Sequence, residues 1–189
     1  MLTVLTGAIE ARDPYTQGHS ARVTALAGEI ALRLGWSEER LALLRVGGPL
    51  HDIGKLAVSD HVLRKEGSLE EHELAEIREH PKAGARLILR VAALREAIPY
   101  VLYHHERWDG QGYPSGKAGE EIPLEARVLA VADAFDAMTS DRPYRRALTR
   151  EQALAEIERC AGTQFDPEIA RVFLELFSEA ELPAAAAAS

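Results

Sequence analysis

The segment densest in reactive side chains is His104-His105-Glu106-Arg107-Trp108-Asp109-Gly110-Gln111-Gly112-Tyr113-Pro114. Two adjacent imidazoles offer nitrogen ligands. The glycines allow a turn at positive φ, and the proline fixes where that turn stops. His51-Asp52-Ile53-Gly54-Lys55 stands upstream, and Ala132-Asp133-Ala134-Phe135-Asp136 stands downstream. Together these three pieces carry the residue types of one metal site.

A lone histidine is more often a surface or core residue than a ligand, but here the histidines share a context. His51-Asp52, His80 and His104-His105 each close an apolar helical pattern, and Asp133 lies midway along another. Their convergence in one small domain is what a binuclear centre requires. Two ions roughly 3.5–4 Å apart can share a carboxylate and a hydroxide, and Asp52, with two oxygens, suits the bridging place. A His-rich set with two carboxylates favours iron, manganese, nickel or zinc over magnesium or calcium, which prefer oxygen ligands. A bound hydroxide is a nucleophile near neutral pH, and phosphate oxygens ligate both ions. Lys55 follows Asp52 by one helical turn. Arg142, Arg145 and Arg146 in Ser140-Asp141-Arg142-Pro143-Tyr144-Arg145-Arg146 read as a phosphate clamp, against the simpler reading of a solvated helix end.

The elements that must hold these groups are helical. No stretch alternates with a period of two, and apolar residues recur at helical spacing nearly throughout. A first helix is expected from about Leu2 to Arg12. A second runs from Thr16 to Leu34, and a third, capped by Ser37, carries Leu41, Leu44 and Leu50 toward His51. Pro49 should kink or restart that third helix. A loop from Gly54 to Gly67 follows, and Ser68-Leu69-Glu70-Glu71 reads as a capping box for a helix ending at His80-Pro81. Further helices are expected over Lys82–Val91 and Leu94–His105. The segment from Glu106 to Pro123 holds six prolines and glycines, more than a plain connector needs. Glu125 to Ser140 is apolar almost all round, as a central buried helix should be, and Asp133 and Asp136 interrupt it at the cost of burying carboxylates. Thr149 with Gln152 caps the next helix, and Asp166-Pro167 begins the last.

With 189 residues, 47% of them hydrophobic, the chain can bury a core as one all-α domain, expected over residues 1–180 with a frayed alanine-rich tail over 181–189. No apolar run approaches the ~20 residues that span a bilayer, and no export signal is evident, so a cytoplasmic protein is expected. The single cysteine, Cys160, excludes an internal disulfide and cysteine-cluster zinc sites. A formal net charge of −8 argues against general DNA or RNA binding.

The motifs resemble the HD-GYP family, a branch of the HD metal-dependent phosphohydrolases. The likeness spans about Ile9 to Phe177. It rests on Glu10-Ala-Arg-Asp-Pro-Tyr-Thr-Gln-Gly-His19-Ser20, the His51-Asp52 segment with Lys55, His80-Pro81, the His104–Pro114 segment, Asp133 with Asp136, and Arg142-Pro-Tyr-Arg145, all in order. The resemblance implies an all-helical domain with two or three metals, often iron or manganese, that hydrolyses cyclic di-GMP to the linear dinucleotide or GMP, some members acting on related cyclic dinucleotides. It implies His19, His51, Asp52, His80, His104, His105 and Asp133 as ligands, with Asp52 bridging. Lys55, Asp136, Arg142 and Arg145 would contact the substrate phosphate or the attacking water, and Tyr113 would line the pocket. Lys55, Asp52 and Asp136 are thus the expected catalytic groups, whereas Glu106 and Asp109 are expected to hold the loop together. It also implies contacts with diguanylate cyclase domains, and an oligomer is compatible with it. Three departures stand out: Tyr15 where three-metal members carry glutamate, which favours two metals; Val58-Ser59-Asp60 where Ile-Pro-Asp is usual, expected to loosen that loop; and Pro49 immediately upstream of the His51-Asp52 pair.

The leading reading is therefore a metal-dependent cyclic di-GMP phosphodiesterase. The alternatives are an HD-class phosphohydrolase for another nucleotide, disfavoured by the Gly-Tyr-Pro loop, and a non-hydrolysing nucleotide sensor or partner-binding module, disfavoured by the complete ligand set.

Overall fold

The computed structural model describes residues 6, 7, 12, 13, 18–65, 67–141 and 146–180. The expected first helix lies largely outside the described residues, as do Tyr15, Arg142, Arg145 and the alanine-rich tail. The helices are α1 (His19–Arg33), α2 (Glu38–Leu50), α3 (Asp60–Leu63), α4 (Glu71–Arg78), α5 (His80–Leu89), α6 (Ile98–Tyr103), α7 (Leu124–Thr139), α8 (Arg150–Arg159) and α9 (Pro167–Ala180). Short 3-10 turns cover Ile53–Ala57, Ala92–Ala97 and Gly119–Glu121. Among the described residues there is no strand, only an isolated bridge between Ala161 and Phe165. The all-α expectation holds.

The main core is built where α1, α2, α7, α8 and α9 turn their apolar stripes inward. Val23, Ala27, Ile30, Leu44, Leu129, Ile157 and Phe173 are almost wholly buried there. Phe135, Phe173 and Phe177 pack with centroids 5.0–5.1 Å apart, Phe173 edge to face with each of the other two, which locks α7 against α9. A second cluster, Leu50, Ile53, Ile88, Leu94, Ala97 and Val101, sits behind the C-termini of α2 and α6. A third, Val58, Val62 and Leu63 with Leu69 and Ile77, gives the site an apolar flank. Among the described residues no helix is long and apolar enough to cross a membrane.

Several expectations change in detail. Helix α2 runs through Pro49 to Leu50, and the His51 amide then bonds Gly48 O at 3.4 Å, so the proline marks the helix end rather than a restart. Proline falls in the last turn, where its missing N–H costs one bond and the chain tightens into the 3-10 turn. The span from Gly54 to Gly67 is largely helical rather than open loop. The cap of α4 is Glu70, not Ser68: the Glu73 carboxylate turns back to accept the Glu70 amide at 2.7 Å. The stretch Leu94–His105 divides into a 3-10 turn and α6, because Pro99 restarts the helix in its first turn.

The replacement of proline by Ser59 tightens the chain where loosening was expected. The Ser59 amide donates to Glu76 Oε1 at 2.7 Å, a bond proline cannot make. Ser59 Oγ accepts from the Val62 amide at 3.4 Å, and Arg12 donates to Leu56 O and Val58 O at 2.6 and 2.9 Å. That segment is tied at both ends.

Candidate metal centre

Helix ends supply the imidazoles. The last carbonyls of a helix lack intrahelical partners, and three histidines use them. His51 Nδ1 donates to Gly48 O (2.7 Å), His80 Nδ1 to Ile77 O (2.6 Å) and His104 Nδ1 to Val101 O (3.0 Å), each three residues back. This pattern fixes each ring's orientation and aims its Nε2 inward. The same helix C-termini carry partial negative charge, which favours a cation between them.

The structure brings all seven expected ligands into two adjoining groups. Asp52, His80, His104 and His105 form one; His19, His51 and Asp133 form the other. Within each, the ligand atoms lie within 4.8 Å of one another. Asp52 stands between them. Its Oδ1 is 3.3 Å from His80 Nε2 and 3.9 Å from His104 Nε2, whereas its Oδ2 is 3.5 Å from His51 Nε2. In the other group, His19 Nε2 is 3.2 Å from Asp133 Oδ1. The His51, Asp52, His80 and His104 side chains are at most 7% exposed.

These residues fit metal ions by a direct test. His51 Nε2 is buried and has no hydrogen-bond partner, and the Nε2 atoms of His80 and His104 face each other at 3.3 Å. With both Nδ1 atoms donating to carbonyls, two lone pairs are opposed, an arrangement that an electrophile between them relieves. The protonation states agree. Burial would raise the Asp52 carboxyl, but Lys55 and His51 outweigh it and hold it well below the usual range. Burial likewise works against Asp133, and His19 and His51 overcome it, keeping it ionised. Burial and neighbouring His80 push His105 down to about 4, and burial with His105 pushes His104 down too. In the Asp52 group an ionised carboxylate stands beside His104 and His105 in their neutral form, a metal-ready set. Burial opposes the charged forms of His19 and His51, but nearby carboxylates outweigh it and raise both, so a metal there displaces protons.

The remaining expected residues fall around this cluster. Lys55 Nζ is 2.9 Å from Asp52 Oδ2 and 3.3 Å from Asp13 Oδ2; burial would strip its proton, but the Asp52 and Asp13 charges keep it. Tyr113 stacks on His105 with centroids 4.9 Å apart and planes 29° apart. Asp136 lines the cavity over the cluster. Its carboxylate accepts from His19 Nδ1 at 2.7 Å and from Arg22 Nε at 2.6 Å, so it meets the back of a candidate ligand. Arg142 and Arg145 lie outside the described residues.

Asp13, Arg22 and Arg78 also belong to this neighbourhood, and the reading of the sequence did not single them out as site residues. Asp13 and Arg22 act through Lys55 and Asp136, partners 42 and 114 positions away. For Asp13 a local signal existed, since it stands inside the motif that ends at His19.

Glu106 shapes the Gly-Tyr-Pro loop. Its buried carboxylate accepts the Ser115 amide at 2.7 Å and the Lys117 amide at 3.1 Å. Asp109 binds Arg107 and the Gln111 amide (3.0 Å), and the Trp108 and Asp109 amides bond Gln164 O and Thr163 O before α9. The Tyr113–Pro114 peptide is cis. A Cβ on Gly112 would stand 2.6 Å from both Glu106 Cα and His105 O, so only glycine lets the loop close on His105. A cavity of about 310 Å³ opens over the cluster, lined by Asp13, Lys55 and Tyr113 and by the apolar Val62, Leu63, Leu69 and Ile77.

Comparison with known proteins supports the geometry. The HD domain family model matches residues 3–169. The chain is 45% identical over 173 residues to a cyclic di-GMP phosphodiesterase response regulator of Xanthomonas campestris, covering 88% of this chain and 44% of that protein. It is 40% identical over 181 residues to a cyclic di-GMP phosphodiesterase of Thermotoga maritima, covering 95% and 49%. The chain thus spans about half the length of the curated relatives it matches. A crystal structure of a cyclic GMP-AMP specific phosphodiesterase from Vibrio cholerae superposes with a TM-score of 0.74 at 22% identity, over 94% of this chain and 48% of that one, a likeness of fold.

Proposed function

The chain belongs to the HD-domain family, in its HD-GYP branch, and from that premise we propose that it is a phosphodiesterase acting on cyclic di-GMP with two divalent metal ions. The observation that carries this reading is Asp52, whose two oxygens address two separate ligand groups. His19, His51 and Asp133 would hold one ion, and His80, His104 and His105 the other, with Asp52 shared. Nitrogen-rich ligation with two carboxylates points to iron or manganese. When bound, such ions supply Lewis-acid polarisation of a phosphoryl group and a clamp for its charge.

The chain's own residues do the rest. Lys55, held protonated between Asp52 and Asp13, places a positive charge at the edge of the cavity where negative charge develops on phosphorus oxygens. Tyr113 walls the substrate side of His105. The apolar flank of Val62, Leu63, Leu69 and Ile77 provides a surface for a nucleobase. Asp136, braced by Arg22, orients His19 and makes it a better ligand, as a carboxylate behind a ligating imidazole does. Arg142 and Arg145 complete the proposal as phosphate contacts.

The test is turnover. Protein purified without oxygen and reconstituted with manganese or iron is incubated with cyclic di-GMP, and products are separated by chromatography. Appearance of the linear dinucleotide or GMP, abolished in Asp52→Ala, is the expected result. Retention of metal without cleavage of any cyclic dinucleotide would contradict the reading.

A further inference from the structure

The space over the cluster continues past Tyr113. A second cavity of about 360 Å³ is lined by Arg78, Arg107, Gln111 and Gln164, and it shares His105, Tyr113, Asp133 and Ala137 with the first. The two cavities therefore meet at the tyrosine, one on the Lys55 side and one on the Arg78 side.

Charge separates the cations that line them. Lys55 is paired with Asp52 and Asp13, and Arg107 with Asp109 at 2.6 Å. Arg78 differs. It is exposed at the last position of α4, has its guanidinium 5.6 Å from the Tyr113 ring centroid, and makes no ion pair among the described residues. Tyr113 is itself stacked on His105, so the series His105, Tyr113, Arg78 sets an uncommitted positive group at a defined place beside the candidate ligands.

We propose that Arg78 binds the second, uncut phosphodiester of a cyclic dinucleotide, and so favours that ligand over simple diesters. This inference rests on the functional reading above. A cyclic dinucleotide carries two phosphodiesters in one ring, and while one is at the cluster the other must lie elsewhere in the groove. A guanidinium matches phosphate geometry with two parallel hydrogen bonds. In a chain of net charge −8, local positive charge is needed to hold such a ligand.

The experiment compares manganese-loaded wild type, Arg78→Ala and Arg78→Lys on two substrates, cyclic di-GMP and bis(p-nitrophenyl) phosphate, which has a single phosphodiester. Calorimetry measures affinity for a hydrolysis-resistant phosphorothioate analogue of cyclic di-GMP, and circular dichroism verifies folding. Arg78→Ala should raise KM and Kd for the cyclic ligand about ten-fold, the size of one lost charge-assisted interaction. Its loss on the cyclic ligand should exceed its loss on the simple diester at least several-fold, and Arg78→Lys should recover part of the affinity. Equal losses on both substrates would mean that Arg78 only steadies Tyr113, and no loss on either would mean that it binds nothing; both overturn the inference while leaving the phosphodiesterase reading intact. Wild type that neither binds nor cuts any cyclic dinucleotide would overturn that reading and this inference together.

Discussion

His80 and His104 point their Nε2 atoms at each other across 3.3 Å, while each Nδ1 is committed to a backbone carbonyl of its own helix end. Neither ring can rotate to relieve this without giving up that bond. The two lone pairs are therefore set against each other, and a cation between the rings turns repulsion into ligation.

Metal loading should accordingly stabilise the fold. A ligand that binds only the native state adds about 2.7 kcal/mol at a hundred times its Kd. For a domain of this size that corresponds to roughly 5–10 °C in Tm. Differential scanning calorimetry of chelator-treated and manganese-loaded protein measures it, and identical melting curves would count against the cluster as a metal site.

Asp136 should act through His19. Replacing it with alanine removes the hydrogen bond to Nδ1 at 2.7 Å and leaves Arg22 without its carboxylate. Loss of such a supporting carboxylate typically costs 10–100-fold in metal affinity. Competition with a metallochromic chelator should show one weakened ion and one nearly unaffected ion. Two equally weakened ions would argue against this division of labour.

Gly112→Ala should uncouple the loop from the centre. The added methyl meets Glu106 Cα and His105 O at 2.6 Å, both parts of the backbone that positions His105. Overpacking of this kind costs about 1–3 kcal/mol. Urea unfolding should register it, with a loss of metal affinity larger than that of a Gly28→Ala control, where nothing stands within 4 Å.

The metal-free protein should be most stable near neutral pH. Burial opposes the charged form of His19, but Asp133 and Asp136 outweigh it and raise the group to about 9. A raised pKa contributes stability in full below the ordinary value of 6.5, lost as pH rises through 9. His105, pushed down by burial to about 4, works in the opposite sense: its contribution is present above 6.5 and lost as pH falls through 4. Melting temperatures should fall on both sides, and metal uptake at pH 7 should release protons, because His19 must give up its own. Proton release that does not change between pH 7 and pH 9.5 would rule out the His19 contribution.

Much of the centre could be read from residue order, because its ligands sit at helix ends that turn signals mark. His51, His80 and His104 each close an apolar helical pattern, which is legible without a fold, whereas the carbonyl three residues back that each ring binds is not. Asp133 was legible as a carboxylate inside an apolar helix. The roles of Asp13, Arg22 and Asp136 were less so, since each depends on a partner 42 or more positions away. Helix boundaries shifted for a similar reason. Glu70 displaced Ser68 as the cap of α4 because Glu73, buried against Lys65 at 2.6 Å, was already turned toward it. Ser59 was expected to loosen its segment because the Glu76 carboxylate that receives its amide lies on another helix.

The central claim is that Asp52 joins two metal positions. Elemental analysis of manganese- or iron-reconstituted protein, wild type beside Asp52→Ala, tests it most directly. Two ions per wild-type chain, falling to one or fewer in the variant, is the predicted result. Saturation of the wild type at one ion or none, or a variant that still holds two, would contradict it.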